Sequence, residues 1–339
     1  MNILVTGAHG FLGQHLVDRI ADEIGQINRA TQLSISDGPI SHNRDEPKIY
    51  QLFTPRSYEL DCLKYTELYH YCHYKNIDAI IHLAAECGGI GINQRKPADF
   101  FLNNAQMSLN VLKVSHELKL DKLVTIGTVC SYPKHTPVPF KEEDLWNGYP
   151  EETNAPYGLA KKNLLVGAQA FSQQYGSNFI HLIPVNMYGE YDHFSLEDSH
   201  VIPAMLRKFH EAKEAQAPSV TLWGDGSASR EFLYAGDCAD AIWKALRAYN
   251  KPDPINIGAS KETTIKELAA TIQKLTKFEG EIIWDASKPN GQPRRCLDTT
   301  KAKKEFDFTA KTTLEEGIKK TYDWYLENLV RGECINEDE

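Results

Sequence analysis

The sequence predicts an α/β protein organised on a doubly wound parallel sheet, with a smaller C-terminal lobe. Three observations carry this. An apolar, β-branched run at Asn2–Thr6 is followed at once by a glycine turn and then by apolar residues at helical spacing. Apolar runs of strand length recur at 78–85, 123–127 and 179–184, separated by stretches of helix length. Strands that alternate with helices over residues 1–184 are the pattern of successive βαβ units, and therefore of a parallel sheet.

Taken in order, Asn2–Thr6 reads as a buried strand and Gln14–Ile24 as the helix after it. Between them TGAHGFLG places Gly7, Gly10 and Gly13 in a strand–turn–helix context, with a GxxGxxG spacing instead of GxGxxG. Such glycines let the backbone turn tightly and approach a pyrophosphate, whose charge the helix N-terminus favours. A tight β–α turn without a ligand is the alternative. Residues 25–47 are polar without sustained periodicity and read as an inserted loop before a second strand, Lys48–Phe53. Asp78–Ala85 is a third strand, ECGGIGINQRKP a glycine-rich loop, and Ala98–Leu118 a long helix. Leu123–Gly127 and Phe179–Pro184 continue the sheet, with a helix from Ala155 onward between them. After Pro184 the chain turns polar and irregular. VTLWGDGSASREFLYAGDCADAI holds a strand, a loop with Arg230 and another helix. Asn256–Gly258 returns to the sheet, amphipathic helices span Glu262–Leu275 and Leu314–Leu326, and WDASKPNGQPRRCLD is a basic loop with Lys288, Arg294 and Arg295. The expected division is a dinucleotide-binding unit at 1–184, with returns near 230–258, a mainly substrate-binding lobe at 185–330, and a disordered tail at 331–339.

The 339 residues carry a formal charge of −9, which argues against a nucleic-acid binder. Seven cysteines stand without CxxC pairing, as expected of a reducing, cytoplasmic setting and not of a disulfide or zinc scaffold. No basic leader precedes the first strand, and no apolar run approaches the roughly 20 residues that span a bilayer. The expectation is a soluble, cytoplasmic protein with no membrane partner and no metal.

The chemistry is expected between Gly127 and Lys161. Tyr157 and Lys161 are four apart, so a helix there puts phenol and ammonium on one face. An adjacent ammonium favours the phenolate, which predicts a lowered Tyr157 pKa. Thr128, at a strand end, can offer its hydroxyl to the same substrate oxygen. Gly7, Ala84, Thr128 and Asn186 all fall at carboxyl ends of strands, where ligands of such sheets bind. At the end of the second strand an acidic residue would select a free ribose 2′-hydroxyl. Arg56 stands there instead and, with His9, tilts the expectation to NADP over NAD.

Together these stretches resemble the extended short-chain dehydrogenase/reductase superfamily. Within it they are similar to the GDP-L-fucose synthase family of GDP-4-keto-6-deoxy-mannose 3,5-epimerase/4-reductases. The resemblance is carried by TGAHGFLG, HLAAECGGIGINQRKPADF, GTVCSYPK, YGLAKK, PVNMYGEYDHF, SHVIPAMLRKFHEA, LWGDGSASREFL and DASKPNGQPRR, in order over nearly the whole chain. It implies that Tyr157 gives a proton to C4–O as hydride arrives, that Lys161 holds the nicotinamide ribose, and that Cys130 and His200 are the base and acid of epimerisation. Packing beneath the strand is the alternative for Cys130, and a helix-start position capped by Ser199 for His200. Cofactor contacts are implied at Gly7, His9, Gly10, Phe11, Leu12, Gly13, Arg56, Leu83, Ala84, Ala85, Pro184, Asn186 and Met187. The GDP-sugar would meet Asn186, His200, Val201, Lys208, Trp223, Arg230 and Lys288. Thr128 stands where the family usually has serine, and Lys208 where it often has arginine. The resemblance also implies a homodimer built as a four-helix bundle from helices near 98–118 and 155–174.

Overall fold

A computed structural model of the chain describes residues 1–35, 50–196, 199–288 and 292–331. In order, the elements are β1 (Asn2–Thr6), α1 (Phe11–Ile35), β2 (Gln51–Phe53), α2 (Tyr65–Tyr74), β3 (Ala79–His82), α3 (Ile90–Arg95), α4 (Pro97–Glu117), β4 (Lys122–Ile126), α5 (Ala155–Tyr175), β5 (Phe179–Pro184), β6 (Asn186–Tyr188) and α6 (Val201–Glu214). There follow β7 (Ser219–Trp223), β8 (Ser229–Tyr234), α7 (Ala235–Ala248), β9 (Ile255–Ile257), β10 (Glu262–Thr264), α8 (Ile265–Thr276), β11 (Glu281–Asp285), α9 (Thr300–Phe306) and α10 (Leu314–Arg331).

The central sheet runs β2-β1-β3-β4-β5-β9, all parallel. Its strands are apolar on both faces because helices cover both. One face packs Ile3, Val5, Val124 and Ile180 with Leu16, Ile20, Ile242 and Trp243 of α1 and α7. The other packs Leu4, Ile80, Leu123 and Phe179 with Leu68, Val111 and Leu164 of α2, α4 and α5. Strand order reverses between β1 and β3, and a crevice opens at the carboxyl ends of strands at such a switch point. A second core gathers Tyr188, Phe194, Leu206, Leu222, Phe232, Leu268 and Tyr325 between the sheet β10-β8-β6, the pair β11-β7 and helices α6, α8 and α10. Glu231, fully buried, accepts the amide protons of Ser260 and Leu297, both at 2.6 Å, and so ties the two cores together.

Several sequence expectations change. The inserted loop does not begin at residue 25, because α1 continues to Ile35. No proline falls between Gly25 and Ile35, and polarity alone does not end a helix. Residues 36–49 lie outside those described, as do residues 332–339 of the expected tail, whereas Arg331 closes α10. Part of the glycine-rich loop is the short helix α3, and Arg230 sits on β8 instead of a loop. The helix expected from Glu262 begins at Ile265, after a three-residue strand. Thr264 and Glu267 form its capping box.

Candidate active site

A cleft of about 1420 Å³ runs across the carboxyl ends of β1, β3, β4 and β5 and into the lobe. That exceeds the roughly 300–1,000 Å³ of a pocket for one small ligand. Its floor starts at the glycine turn. Gly7 adopts φ +70°, and a Cβ there would lie 2.7 Å from the Ala84 amide nitrogen. A Cβ on Gly13 would lie 2.1 Å from the Gly7 carbonyl oxygen. Only glycines let β1, α1 and the end of β3 converge so closely, which leaves the start of α1 open to a pyrophosphate. His9, Gly10, Phe11 and Leu12 line the cleft here, with Leu83, Ala84 and Ala85 beyond β3. His9 Nε2 also meets the Thr54 carbonyl oxygen at 2.9 Å and so joins the glycine turn to the end of β2. Arg56 follows on the same wall, exposed, in a Thr54–Tyr58 segment without an acidic side chain. These residues fit a dinucleotide with a phosphorylated ribose.

The chemical centre depends on another glycine. The chain leaves β4 at Gly127 and makes a short 3-10 turn, Val129–Ser131, capped by the Thr128 hydroxyl on the Cys130 amide at 3.2 Å. Helix α5 starts against this turn. Gly158 has no side chain to hold it off, and Ser131 Oγ donates to the Gly158 carbonyl oxygen at 2.8 Å. Thr128, Cys130, Tyr157 and Lys161 therefore face one cleft. The loop after β3 forms the opposite wall. Buried Asn104 fixes it, donating to the Glu86 carbonyl oxygen at 2.9 Å and accepting its amide proton at 3.1 Å.

The electrostatics overturn one expectation. Burial pushes Tyr157 well above the ordinary phenol range, and the neighbouring Cys87 and Cys130 thiols add to the rise. Lys161 does not reverse this, because it is itself 3% exposed and burial brings its ammonium down to about 8. Beneath it lies a polar rung across four strands, with Thr6 opposite His82, His82 opposite Thr125, and Thr125 opposite His181. Each threonine Oγ1 meets the Nδ1 of its histidine at 2.8 Å. Burial first, and then the Lys161 charge, hold both imidazoles down to about 3.

The lobe supplies the far wall with Val201, Lys208, Trp223 and Arg230, while Pro184, Asn186 and Met187 lie where sheet and lobe meet. Trp223 is 66% exposed, so it does not serve as lobe packing. Burial, and then repulsion from Arg295, lower Arg230 to about 10, as expected where two guanidiniums share a place fit for an anion. His200 is itself the cap residue of α6, in place of Ser199. Partial loss of hydration works against its charge, although its side chain stays 48% exposed, and Asp192, 3.5 Å away, outweighs this and raises its pKa.

Lys288 departs from the expectation. It is absent from the cleft lining, and its ammonium stands 5.6 Å from the centre of the Trp223 ring, an attraction that keeps it at the rim. Three residues escaped sequence reasoning: Cys87, Asp192 and Arg295. The last lay in view within a basic loop that carries part of the family resemblance, with no role assigned to it. Arg294, beside it, is turned away to Glu262.

The chain is similar to known proteins over nearly its whole length. GDP-L-fucose synthase 1 of Arabidopsis thaliana is 36% identical over 313 residues, covering 92% of this chain and 97% of that protein. GDP-L-colitose synthase of Yersinia pseudotuberculosis is 34% identical over 329 residues, 96% of this chain and 98% of that protein. A crystal structure of a GDP-L-fucose synthetase from Naegleria fowleri bound to NADP superposes with a TM-score of 0.83 at 25% identity, covering 97% and 95% of the two chains. The family described as NAD dependent epimerase/dehydratase matches residues 3–258, from the first strand of the sheet to just past its last. The glycine turn, the Tyr157 helix and the strand ends that line the cleft all fall within that match, and the chain belongs to this family.

Proposed function

We propose that this enzyme is an NADPH-dependent epimerase/reductase of a GDP-4-keto-6-deoxy sugar, which forms GDP-L-fucose or a close relative by inversion at C3 and C5 and reduction at C4. One observation carries the reading. A reducing set, Tyr157 with Lys161 and Thr128, shares its cleft with a second proton-handling pair, Cys130 and His200. A simple reductase has no use for the second pair.

The cofactor, when bound along the Gly7–Gly13 turn, supplies the hydride. Arg56 and His9 would hold its ribose phosphate, and Lys161 its other ribose. On the sugar, the C4 ketone acidifies the flanking C3 and C5 protons. Cys130 takes a proton from one face, leaving an enolate, and His200 gives one to the other face, inverting the centre. Tyr157 then passes its phenolic proton to the C4 oxygen, with the Thr128 hydroxyl on the same oxygen. Arg230 and Lys208 hold the diphosphate, and Trp223 stacks on the base.

The unit formed by residues 1–184 with β9 holds the cofactor, and the lobe at 185–330 holds the sugar nucleotide. The enzyme works as a homodimer through a four-helix bundle of α4 and α5. Phe101, Leu102 and Leu109 of α4 and Val166 of α5 support this, since all four are exposed apolar side chains on helices that pack together. A cytoplasmic setting fits the six described cysteines, all free. Among the described residues no helix is long and apolar enough to cross a membrane.

Incubation with GDP-4-keto-6-deoxy-mannose and NADPH in D2O tests the reading. NADPH consumption with deuterium at C3 and C5 is expected, and both should be followed in Tyr157→Phe, which abolishes reduction. Consumption without deuterium removes the epimerase half. Unchanged reduction in Tyr157→Phe removes the catalytic assignment.

A further inference from the structure

An acid and a base that share a cleft at one pH need surroundings that drive their charges apart. We propose that Arg295 holds Cys130 as the thiolate that removes the carbon-bound proton, and that Asp192 holds His200 as the imidazolium that returns one. This rests on the epimerase reading and assigns two positioning residues to it.

Arg295 is placed by backbone. The segment 293–297 runs beside β8, with Ser229 N–H donating to Pro293 O and Glu231 N–H to Arg295 O, both at 2.9 Å. Its Nη1 lies 3.9 Å from Cys130 Sγ and 3.3 Å from Asn186 Oδ1, while Nε and Nη2 hold Gln292 Oε1 at 3.2 and 3.1 Å. Its partners among the described residues are a sulfur and neutral oxygens, with no carboxylate. The charge of this guanidinium is therefore left for an anion, and sulfur is the one nucleophile it touches. Arg230 adds to the positive field from β8. The other titratable group facing Cys130 is Tyr157, from α5.

Asp192 is the mirror case. Its side chain is 3% exposed, and its Oδ1 meets His200 Nδ1 at 3.5 Å and accepts the His193 amide proton at 2.8 Å. Its Oδ2 is buried with no hydrogen-bond partner among the described residues. A buried carboxylate so poorly served favours a proton on the imidazole beside it. His200 needs that help, because it caps α6, and the positive end of a helix opposes a cation. With Nδ1–H directed at Asp192, Nε2–H is left for substrate. Asp192 is also faced by His15 from α1, which is held by Glu190 (carbonyl oxygen at 3.0 Å), and by Cys87 from the loop after β3. The proton balance closes. Sulfur gains the proton that carbon loses, nitrogen gives one to the opposite face, and solvent resets both before the second centre inverts.

Two titrations test the pairs without substrate. The first follows iodoacetamide alkylation of Cys130 against pH, resolved from Cys87 by peptide mapping, in the wild type, Arg295→Met and Arg295→Lys. The half-point should rise by about one pH unit in Arg295→Met, with alkylation about tenfold slower at pH values below the wild-type half-point, and Arg295→Lys should restore most of the rate. The second follows the His200 ring protons by NMR in the wild type and Asp192→Asn, where the midpoint should fall by about one unit. Far-UV circular dichroism establishes that each variant is folded. Deuterium wash-in at C3 and C5 then links charge to chemistry, with its acid limb moved up in Arg295→Met and its alkaline limb moved down in Asp192→Asn. Unmoved titrations in folded variants overturn the proposal, as does an Arg295→Met protein that raises only the substrate KM. Shifted titrations in an enzyme whose wild type shows no wash-in would instead retire the epimerase reading and leave the charge pairs standing.

Discussion

Adding one methyl group at Gly158 tests whether the closeness of α5 to the Thr128–Ser131 turn sets the chemistry. A Cβ there lies 2.4 Å from the Cys130 carbonyl oxygen, 2.9 Å from the carbonyl carbon and 3.4 Å from Ser131 N. All three are backbone atoms, so relief requires the helix or the turn to retreat by about 1 Å to reach ordinary contact. Tyr157 precedes this residue and moves with it, away from Thr128 and Cys130. A misplacement of about 1 Å in a catalytic group costs roughly 10²-fold in rate. The stability cost is smaller, because overpacking loses about 1–3 kcal/mol while replacing a helical glycine returns about 1 kcal/mol. Gly167→Ala is the control on the same helix. Its Cβ would also come within 2.4 Å of a neighbour, but that neighbour is Leu112 Cδ1, the end of a side chain that can rotate. Steady-state NADPH consumption and thermal melting of both variants decide the matter. Gly158→Ala with kcat within threefold of wild type refutes the reasoning. So does equal damage from Gly167→Ala, which would trace the loss to helix packing in general.

Three further outcomes are expected. Arg56→Ala weakens NADPH about tenfold while leaving NADH nearly unchanged, since the side chain is assigned to the 2′-phosphate alone; fluorescence titration with both cofactors checks this, and equal loss refutes it. The buried histidines make the fold acid-sensitive. His82 and His181 hold out to about 3 when folded but protonate near 6.5 when unfolded. The unfolded state therefore binds about two more protons inside that window. Stability present above pH 6.5 is lost as pH falls toward 3, at about 2.7 kcal/mol per pH unit, and His181→Gln halves the slope in urea unfolding curves. A slope unchanged by that substitution would count against neutral histidines. Finally, Leu102→Glu with Leu109→Glu on α4 turns a dimer into a monomer in sedimentation velocity, and a monomeric wild type removes the bundle.

What was legible in the sequence follows the physics of each signal. β1 and β5 have the predicted bounds because a strand buried on both faces is a largely apolar run, which a single buried Thr6 or His181 does not hide. α4 and α5 come within a residue or two of theirs because proline opens both, and Gly176, at φ +69°, closes the second. The three-residue strands β6 and β10 left no periodicity to read. Their pairing with β8 is set by residues far away in the chain. α2 was passed over because YTELYHYCHY mixes aromatic and polar residues, with only Leu68 and Cys72 buried. The same division runs through the site. Residues carried at strand ends by a motif reached the cleft, as Gly7, Ala84, Thr128 and Asn186 did. Arg295 and Asp192 were not legible, because a basic loop and a turn reveal their targets only when segments 165 and 8 residues apart meet.

The Tyr157 reversal bears on which direction of reaction the cleft favours. The sequence places an ammonium beside a phenol, which predicts a Tyr157 pKa lowered toward the working range of an acid or base. The structure buries Lys161 and half-buries Tyr157, and loss of hydration penalises the phenolate with no countering contribution from the ammonium. A tyrosine that keeps its proton is a poor base for oxidising an alcohol. It is a suitable acid for a ketone that is becoming an alkoxide, because the proton moves only when negative charge appears on the substrate oxygen. Lys161, at about 8, still carries its charge at neutral pH, and the neutral histidines beneath it add no second cation. Its positive charge then acts on the phenolate formed in the transition state and spares the resting phenol, which is the differential stabilisation that lowers a barrier. Lys161→Met should therefore reduce kcat for reduction with Tyr157 still protonated throughout the neutral range. A tyrosinate absorbance at neutral pH in the wild type would break this account.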